Sequence, residues 1–420
     1  MGERSATTIP ASRRAAQMFQ QVYQDASDPF LRRCRALDYF YLQRRIAQQR
    51  LGLEIAPSAY CGNASDVAIP DLFGMHDSHT AFAAMATLLA AALLSALLII
   101  ALAPWLARYA MAEPNARSSH KLPTPQGGGI AVIGAAIVVS GGALFFSRPS
   151  ANLSSLVVIS AAVLLIAAIG ALADKRPIAA APRLVLQSCA VAAVLATLPS
   201  ELRLLPVLPW WSERILLFIG TLWFVNLVNF MDGLDWMTVA EAVPITLALG
   251  VIGLLGYLPW QDTVISLALC GATIGFAFFN RPVAKLFLGD IGSLPIGLLL
   301  GWLLLVLAGN GGRTAAVLLP LYYFADSTIT LLRRALKHEP IWLAHRSHFY
   351  QRATDRGFRV IEVVTRVFVV NILLAALAFM TILLPSPVTD IAAVSVGMAL
   401  VAWLLVAFAR GPSRHLPHSS

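Results

Sequence analysis

The chain has 420 residues, 58% of them hydrophobic and 13% charged, with a mean hydropathy of +0.72. That balance excludes a soluble globular domain of this length and indicates an all-α, polytopic membrane protein. The formal charge of +9 is high enough to raise nucleic-acid binding, but its distribution along the chain says more than its sum and argues for no nucleic acid. Cys34, Cys61, Cys189 and Cys270 show neither pairing nor CxxC spacing, which argues against a disulfide frame and a zinc site.

Residues 1–74 form a polar extension with nine Arg and no Lys. Two readings compete for it. One is an over-extended reading frame whose native start is Met75. The other is a genuine helical appendage, with Phe30, Leu31, Cys34, Leu37 and Phe40 near helical spacing. The apolar run from about residue 81 is too long for a signal peptide and lacks a cleavage site.

Residues 75–410 read as a membrane-embedded domain and 411–420 as a cytoplasmic tail. An apolar helix rising 1.5 Å per residue crosses a hydrocarbon core of about 30 Å in roughly 20 residues. About eleven windows meet that condition: 81–105, 127–146, 155–173, 184–199, 214–230, 239–257, 262–279, 293–309, 313–331, 364–385 and 388–409. Every second break between them carries a dense polar cluster. In chain order these are SSHKLPTPQGGG (118–129), DKRP (174–177) followed by Arg183, NLVNFMDGLDWM (226–237), FNRPVAKLFLGDIGS (279–293) and AHRSHFYQR (344–352). Alternate breaks face the same water, so all five clusters are expected on one side.

The basic residues identify that side. The motif-bearing breaks hold fifteen Lys and Arg between Arg108 and Arg359, whereas the opposite breaks hold only Arg148, Arg203, Arg214 and Arg313. Positive residues are retained in the cytoplasm, so the active-site loops are expected there, in a bacterial inner membrane. An odd number of spans with an inside tail would put the nine arginines of the extension outside, against the same rule.

Each cluster has a chemical and a plainer reading. His120 and Lys121 precede Gly127, Gly128 and Gly129, whose backbone N–H groups could approach a phosphate; the plainer reading is a loop with close helix packing. Asn226, Asn229, Asp232 and Asp235 recur every third residue at the end of an apolar helix, and carboxylates at membrane depth are costly and tend to be functional. Asp290, between Gly289 and Gly292 and near Lys285, has the setting of a magnesium ligand, since that ion takes one or two carboxylates plus phosphate oxygens. His345, Arg346 and His348 suit a pyrophosphate, with a lipid-headgroup loop as the alternative.

Taken in order, PTPxGGG, xDxxP…R, NxxNFMDGxD, FNxPxAKxFxGDxGS and AHRSHxYQR resemble the polyprenyl-phosphate N-acetylhexosaminyl-1-phosphate transferases, relatives of phospho-MurNAc-pentapeptide transferase, over roughly residues 80–410. The AHRSHFYQR form is similar to the branch that initiates O-antigen and other surface polysaccharides. The resemblance implies transfer of a sugar 1-phosphate from a UDP-N-acetylhexosamine to undecaprenyl phosphate within membrane lipid, release of UMP, and a need for Mg²⁺ or Mn²⁺; a homodimer is a further expectation. Carried onto this chain, it implies Asp290 and Asn229 as metal ligands. Asp174, Asp232, Asp235, His345 and His348 are implied as catalytic residues, and His120, Lys121, Arg183, Asn226, Lys285 and Arg346 as substrate-binding ones. Two positions depart from the family pattern: Ala173 stands where the first of two aspartates is usual, and Trp236 where a glycine commonly follows Asp235. A catalytically impaired scaffold and a multi-pass transporter are the competing classes.

Overall fold

The computed structural model describes residues 78–112, 123–147, 153–175, 178–199, 202–340 and 345–412. The polar extension, His120, Lys121 and most of the 411–420 tail therefore lie outside the described residues. The described chain is helical apart from one short strand pair. Its elements are α1 (Ser78–Tyr109), β1 (Met111–Ala112), β2 (Thr124–Pro125), α2 (Gly129–Ser147), α3 (Leu153–Lys175), α4 (Ala180–Ala196) and α5 (Trp210–Met231). They continue as α6 (Met237–Leu254), α7 (Trp260–Ala277), α8 (Asp290–Gly309), α9 (Arg313–Leu318), α10 (Leu321–Leu336), α11 (Phe349–Asp355), α12 (Val360–Leu383) and α13 (Pro387–Arg410).

Eight of these helices are long and apolar enough to cross a membrane: α1, α2, α3, α5, α6, α8, α12 and α13. The chain is a multi-pass membrane protein. The other three predicted windows also fold as helices, but of a different kind. Helix α4 has 17 residues, and α7 carries Gln261 and Asp262 in its first turn. The 313–331 window breaks in two at Pro320, which lacks the N–H that would continue α9. Beyond the break, α10 turns Tyr322, Tyr323, Asp326, Ser327 and Thr330 inward, a polar inner face that average hydropathy conceals.

Helix α8 is the most enclosed span and packs against α2, α3, α5, α6 and α9. Its neighbours come unusually close at its first turn. A Cβ on Gly129 would lie 2.3 Å from the Gly292 Cα, and one on Gly170 would lie 2.3 Å from the Asp290 carbonyl oxygen. Both glycines are therefore steric requirements for setting α2 and α3 against the start of α8.

At the end opposite the motifs, the basic residues are used to tie down a loop. Glu213, fully buried, accepts from Arg203 Nε at 2.5 Å and from the Leu204 and Leu205 N–H groups. Arg214 donates to the Pro199 and Leu202 carbonyls, and Arg313 to that of Arg203.

Replacing Gly170 with alanine forces α3 off the start of α8. An overpacking cost of about 1–3 kcal/mol is expected, read as a lower Tm of the purified protein in detergent.

Candidate active site

The described parts of the five clusters meet at one end of the bundle, where backbone hydrogen bonds stitch the first to the 279–293 segment. Gln126 N–H donates to the Ala110 carbonyl at 2.8 Å and Phe287 N–H to that of Pro125 at 2.8 Å, alongside the β1–β2 pair. Gly127 and Gly128 donate to the Phe287 carbonyl at 3.1 and 2.9 Å, and Gly129 to that of Leu288 at 2.9 Å. This corrects the phosphate-cradle expectation. The three glycine N–H groups are spent on the 279–293 segment, and the glycines serve close packing.

Helix α8 begins at the centre of the cluster. Its N-cap, Gly289, sits at φ +78 and gives no side-chain cap; a Cβ there would approach Asp174 Oδ2 to 2.6 Å. Asp174, from the end of α3, supplies the missing acceptor. Its Oδ1 receives the Asp290 N–H at 2.9 Å and the Gln126 amide at 2.6 Å, and its Oδ2 receives the Ile291 N–H at 3.2 Å. The first N–H groups of a helix have no intrahelical partner and carry its positive dipole end, so a carboxylate from a neighbouring helix satisfies both demands.

The Asp290 side chain is then held from two sides. Arg183 Nη1, near the start of α4, lies 3.2 Å from Oδ2, and Asn229 Nδ2, from the last turn of α5, lies 2.7 Å from Oδ1. Asn229 also donates to the Ser293 hydroxyl at 2.9 Å. The amide nitrogen, not the oxygen, thus faces the carboxylate, and a cation bound between Asp290 and Asn229 would require the amide to turn.

Helix α5 ends at Met231, and the DGLDW turn leads into α6. Asp232 accepts from the Thr238 hydroxyl at 2.5 Å. Burial pushes its carboxyl up to about 7, against that hydrogen bond, and the charges of Asp290, Asp174 and Asp235 push in the same upward direction. The four carboxylates therefore share one electrostatic environment. Asp235 is buried and accepts the Ala284 N–H at 3.0 Å, clamping the 279–293 loop. Asn226 lies a turn deeper, buried, and donates to the Gln187 amide oxygen of α4 at 2.8 Å. Lys285 is exposed, with its backbone N–H on the Phe279 carbonyl at 2.9 Å.

The turn has one strained residue. Trp236 adopts the left-handed conformation, φ 62 and ψ 2, which costs a non-glycine residue about 1–2 kcal/mol. Its N–H donates to Asn280 Oδ1 at 2.8 Å and its indole Nε1 to the Ala277 carbonyl at 2.6 Å. These bonds hold the turn against the end of α7 and offset the strain. Asn280 completes the brace by donating to the Leu286 carbonyl at 2.9 Å.

The fifth cluster closes over this turn. Tyr350 donates its hydroxyl to the Phe230 carbonyl at 3.0 Å, and a Cβ on Gly233 would come within 2.2 Å of that hydroxyl. His345 and His348 stack, with ring centroids 4.9 Å apart. His348 is only 2% exposed, so His345 is the more accessible ring. Arg346 lies 2.9 Å from Asp355 at the end of α11.

The structure thus brings together Asp174, Arg183, Asn229, Asp232, Asp235 and Asp290, with the histidine pair on a segment anchored to the 230–233 turn. Sequence reasoning missed Gln126, Gln187, Asn280, Ser293 and Asp326. Gln126, Asn280 and Ser293 stand within the motif clusters, whereas for Gln187 and Asp326 the one available signal was a polar residue inside an apolar run.

The strain at Trp236 reverses the usual helix-propensity order. Trp236→Gly should retain more stability than Trp236→Ala by about 1 kcal/mol, compared by thermal denaturation in the same detergent.

The chain is similar in sequence to known proteins over the region that carries this site. The chain is 26% identical over 292 residues to a probable undecaprenyl-phosphate N-acetylglucosaminyl 1-phosphate transferase of Bacillus subtilis, covering 65% of this chain and 79% of that one. It is 28% identical over 338 residues to a decaprenyl-phosphate N-acetylglucosaminephosphotransferase of Mycolicibacterium smegmatis, covering 72% and 83%. It is 31% identical over 177 residues to the phospho-N-acetylmuramoyl-pentapeptide-transferase of Aquifex aeolicus, covering 36% and 46%. The sequence profile described as glycosyl transferase family 4 matches residues 156–308, the stretch from α3 to α8 that carries Asp174, Arg183, Asn229, Asp232, Asp235 and Asp290. The motifs that fold into this site thus lie in the stretch of the chain that is similar to glycosyl transferase family 4.

Proposed function

We propose that the protein transfers an N-acetylhexosamine 1-phosphate from a UDP-sugar to undecaprenyl phosphate, releasing UMP, as the first step of a surface polysaccharide such as O-antigen. The observation that carries this reading is the convergence of Asp174, Asp232, Asp235 and Asp290 with Arg183 at the end of the bundle that is rich in basic residues. That end is assigned to the cytoplasm of a bacterial inner membrane, where a nucleotide-sugar is available. The Bacillus subtilis and Mycolicibacterium smegmatis relatives are named for transfer of an N-acetylglucosamine phosphate to a polyprenyl phosphate and support the same reaction class.

In this reaction an oxygen of the lipid phosphate attacks the sugar-bearing phosphorus, and the bond to UMP breaks. The attacking phosphate, with a second pKa near 6, is largely dianionic at neutral pH. It needs no strong base, which fits an Asp174 whose oxygens already accept three donors. We read Asp174 as the residue that sets Asp290 in place, so that Ala173 in place of a second aspartate is compatible with activity. Arg183, His345 and Arg346 supply positive or donor groups to phosphate oxygens, with His120 and Lys121 as further candidates.

A divalent cation fits the residues present. Among the described residues no three His, Cys, Asp or Glu side chains form a ready-made cage, as expected where Mg²⁺ takes one or two carboxylates and completes its shell with phosphate oxygens and water. Asp290, with the Asn229 amide turned, would hold it, and Asp232 would contribute negative potential. Bound Mg²⁺ or Mn²⁺ would screen the charges of two phosphates brought together.

Purified protein given undecaprenyl phosphate, Mg²⁺ and a panel of UDP-N-acetylhexosamines is expected to release UMP with one of them. Asp290→Asn should reduce that release by at least about a hundredfold. Absence of UMP from folded protein with every donor would reject the reading. A scaffold would be indifferent to the substitution.

A pH-dependent effect of the cation is also expected. Folded Asp232 keeps its proton up to about 7, whereas an ordinary aspartate releases it near 3.8. Between those values the folded state binds more protons, so the contribution of Asp232 to stability falls as pH rises through the window. A cation replacing the proton opposes that loss. The rise in Tm on adding Mg²⁺ should therefore be larger at pH 8 than at pH 6, by differential scanning fluorimetry.

A further inference from the structure

One buried acid close to the site belongs to none of the five clusters. Asp326, in the middle of α10, is fully buried. Its Oδ1 accepts from the Phe349 N–H at 3.0 Å and the Thr330 hydroxyl at 3.3 Å, and its Oδ2 from the Tyr350 N–H at 3.1 Å and the Tyr322 hydroxyl at 3.2 Å. His348 brings Nδ1 to 3.3 Å from the same Oδ1. A carboxylate surrounded by donors is an acceptor only, so the ring nitrogen facing it carries the proton.

His345 is set the other way. Its Nδ1 is approached by the Ser347 N–H at 3.4 Å, which can only donate, and by the Ser347 hydroxyl at 3.0 Å. That hydroxyl itself accepts from Arg334 Nη1 at 3.2 Å, leaving its own proton for the ring. Nδ1 of His345 is thus an acceptor, and its proton resides on Nε2. Near His348 are Tyr322 on α10, which donates to the same Asp326 carboxylate, and Tyr350, whose ring stacks on His348 at 5.7 Å. Arg333 lies over the Phe349 ring at 4.9 Å.

We propose that Asp326 is a positioning residue of the active site: it locks His348 as the Nδ1–H form, a fixed platform on which His345 stacks, while Ser347 keeps His345 in the Nε2–H form that donates to a pyrophosphate oxygen. Because His348 is nearly buried and His345 is not, His348 is the platform and His345 the ring that meets the ligand. The same carboxylate caps α11, whose N-cap residue provides no side-chain cap of its own, so ring orientation and helix placement depend on one group. The last step, donation to a pyrophosphate, rests on the proposed function. The tautomer assignment does not.

The test begins on the unmodified protein. Nitrogen-15 NMR of histidine-labelled protein at pH 8, assigned with His345→Gln and His348→Gln, should show Nδ1 protonated in His348 and unprotonated in His345. Either ring found the other way overturns the proposal. In the second arm, Asp326→Asn is compared with Thr330→Val, which removes a hydrogen bond from the same oxygen without facing His348. Asp326→Asn should alter the His348 tautomer and lower kcat/KM by about tenfold, while Thr330→Val keeps both tautomers and stays within about threefold. Unchanged tautomers and kcat/KM in folded Asp326→Asn would equally overturn it, and if that variant does not fold the spectrum of the unmodified protein decides. Failure of the protein to release UMP would remove the proposed function while leaving the tautomers to the spectrum.

Discussion

The motif end of this protein depends on how the first turn of α8 is satisfied. An apolar helix enclosed by its neighbours begins with N–H groups that find no intrahelical partner. Asp174 accepts two of them. That contact brings a negative group to the positive end of the helix, and it sets two carboxylates, Asp174 and Asp290, side by side. Arg183 and Asn229 then hold the Asp290 side chain. Neighbouring helices reach this point only because Gly129 and Gly170 have no Cβ to obstruct them.

The same arrangement occurs a second time. Asp326 on α10 accepts the first N–H groups of α11, as Asp174 on α3 does for α8. Neither α8 nor α11 is capped by its own N-cap side chain. A helix that caps itself is anchored only locally, whereas one capped by a distant carboxylate is located relative to another helix. Here the two helices so located begin at Asp290 and at the histidine segment, the parts of the site for which orientation matters most.

The turn between α5 and α6 shows a different balance. A left-handed tryptophan is unfavourable in isolation, yet two hydrogen bonds to the 277–280 segment keep Trp236 there. A glycine would accept the backbone angle without strain but would give up the indole bond to the Ala277 carbonyl. The substitution trades an easy turn for a bracing contact between α6 and α7, beside Asp235 and its hold on the Ala284 N–H.

Much of this was legible in the chain. Apolar runs long enough to cross a bilayer, polar clusters at alternate breaks and basic residues sorted to the same breaks determined an all-α membrane protein with one functional end, because burial in lipid and charge retention act on composition and spacing alone. Three of the eleven windows do not fold as long, wholly apolar helices, since a window average does not see the break at Pro320 or the inward polar face of α10. Only the tertiary structure decided what each polar residue does. The glycine N–H groups of 127–129 went to a strand-like partner at 287–288, Asn226 to Gln187, and Asp174 to the start of a helix 116 residues away. Asp326 carried no motif at all. A hydrogen bond is short and directional, so its partner is set by which helices pack together, and that contact is not written in the local sequence of either one.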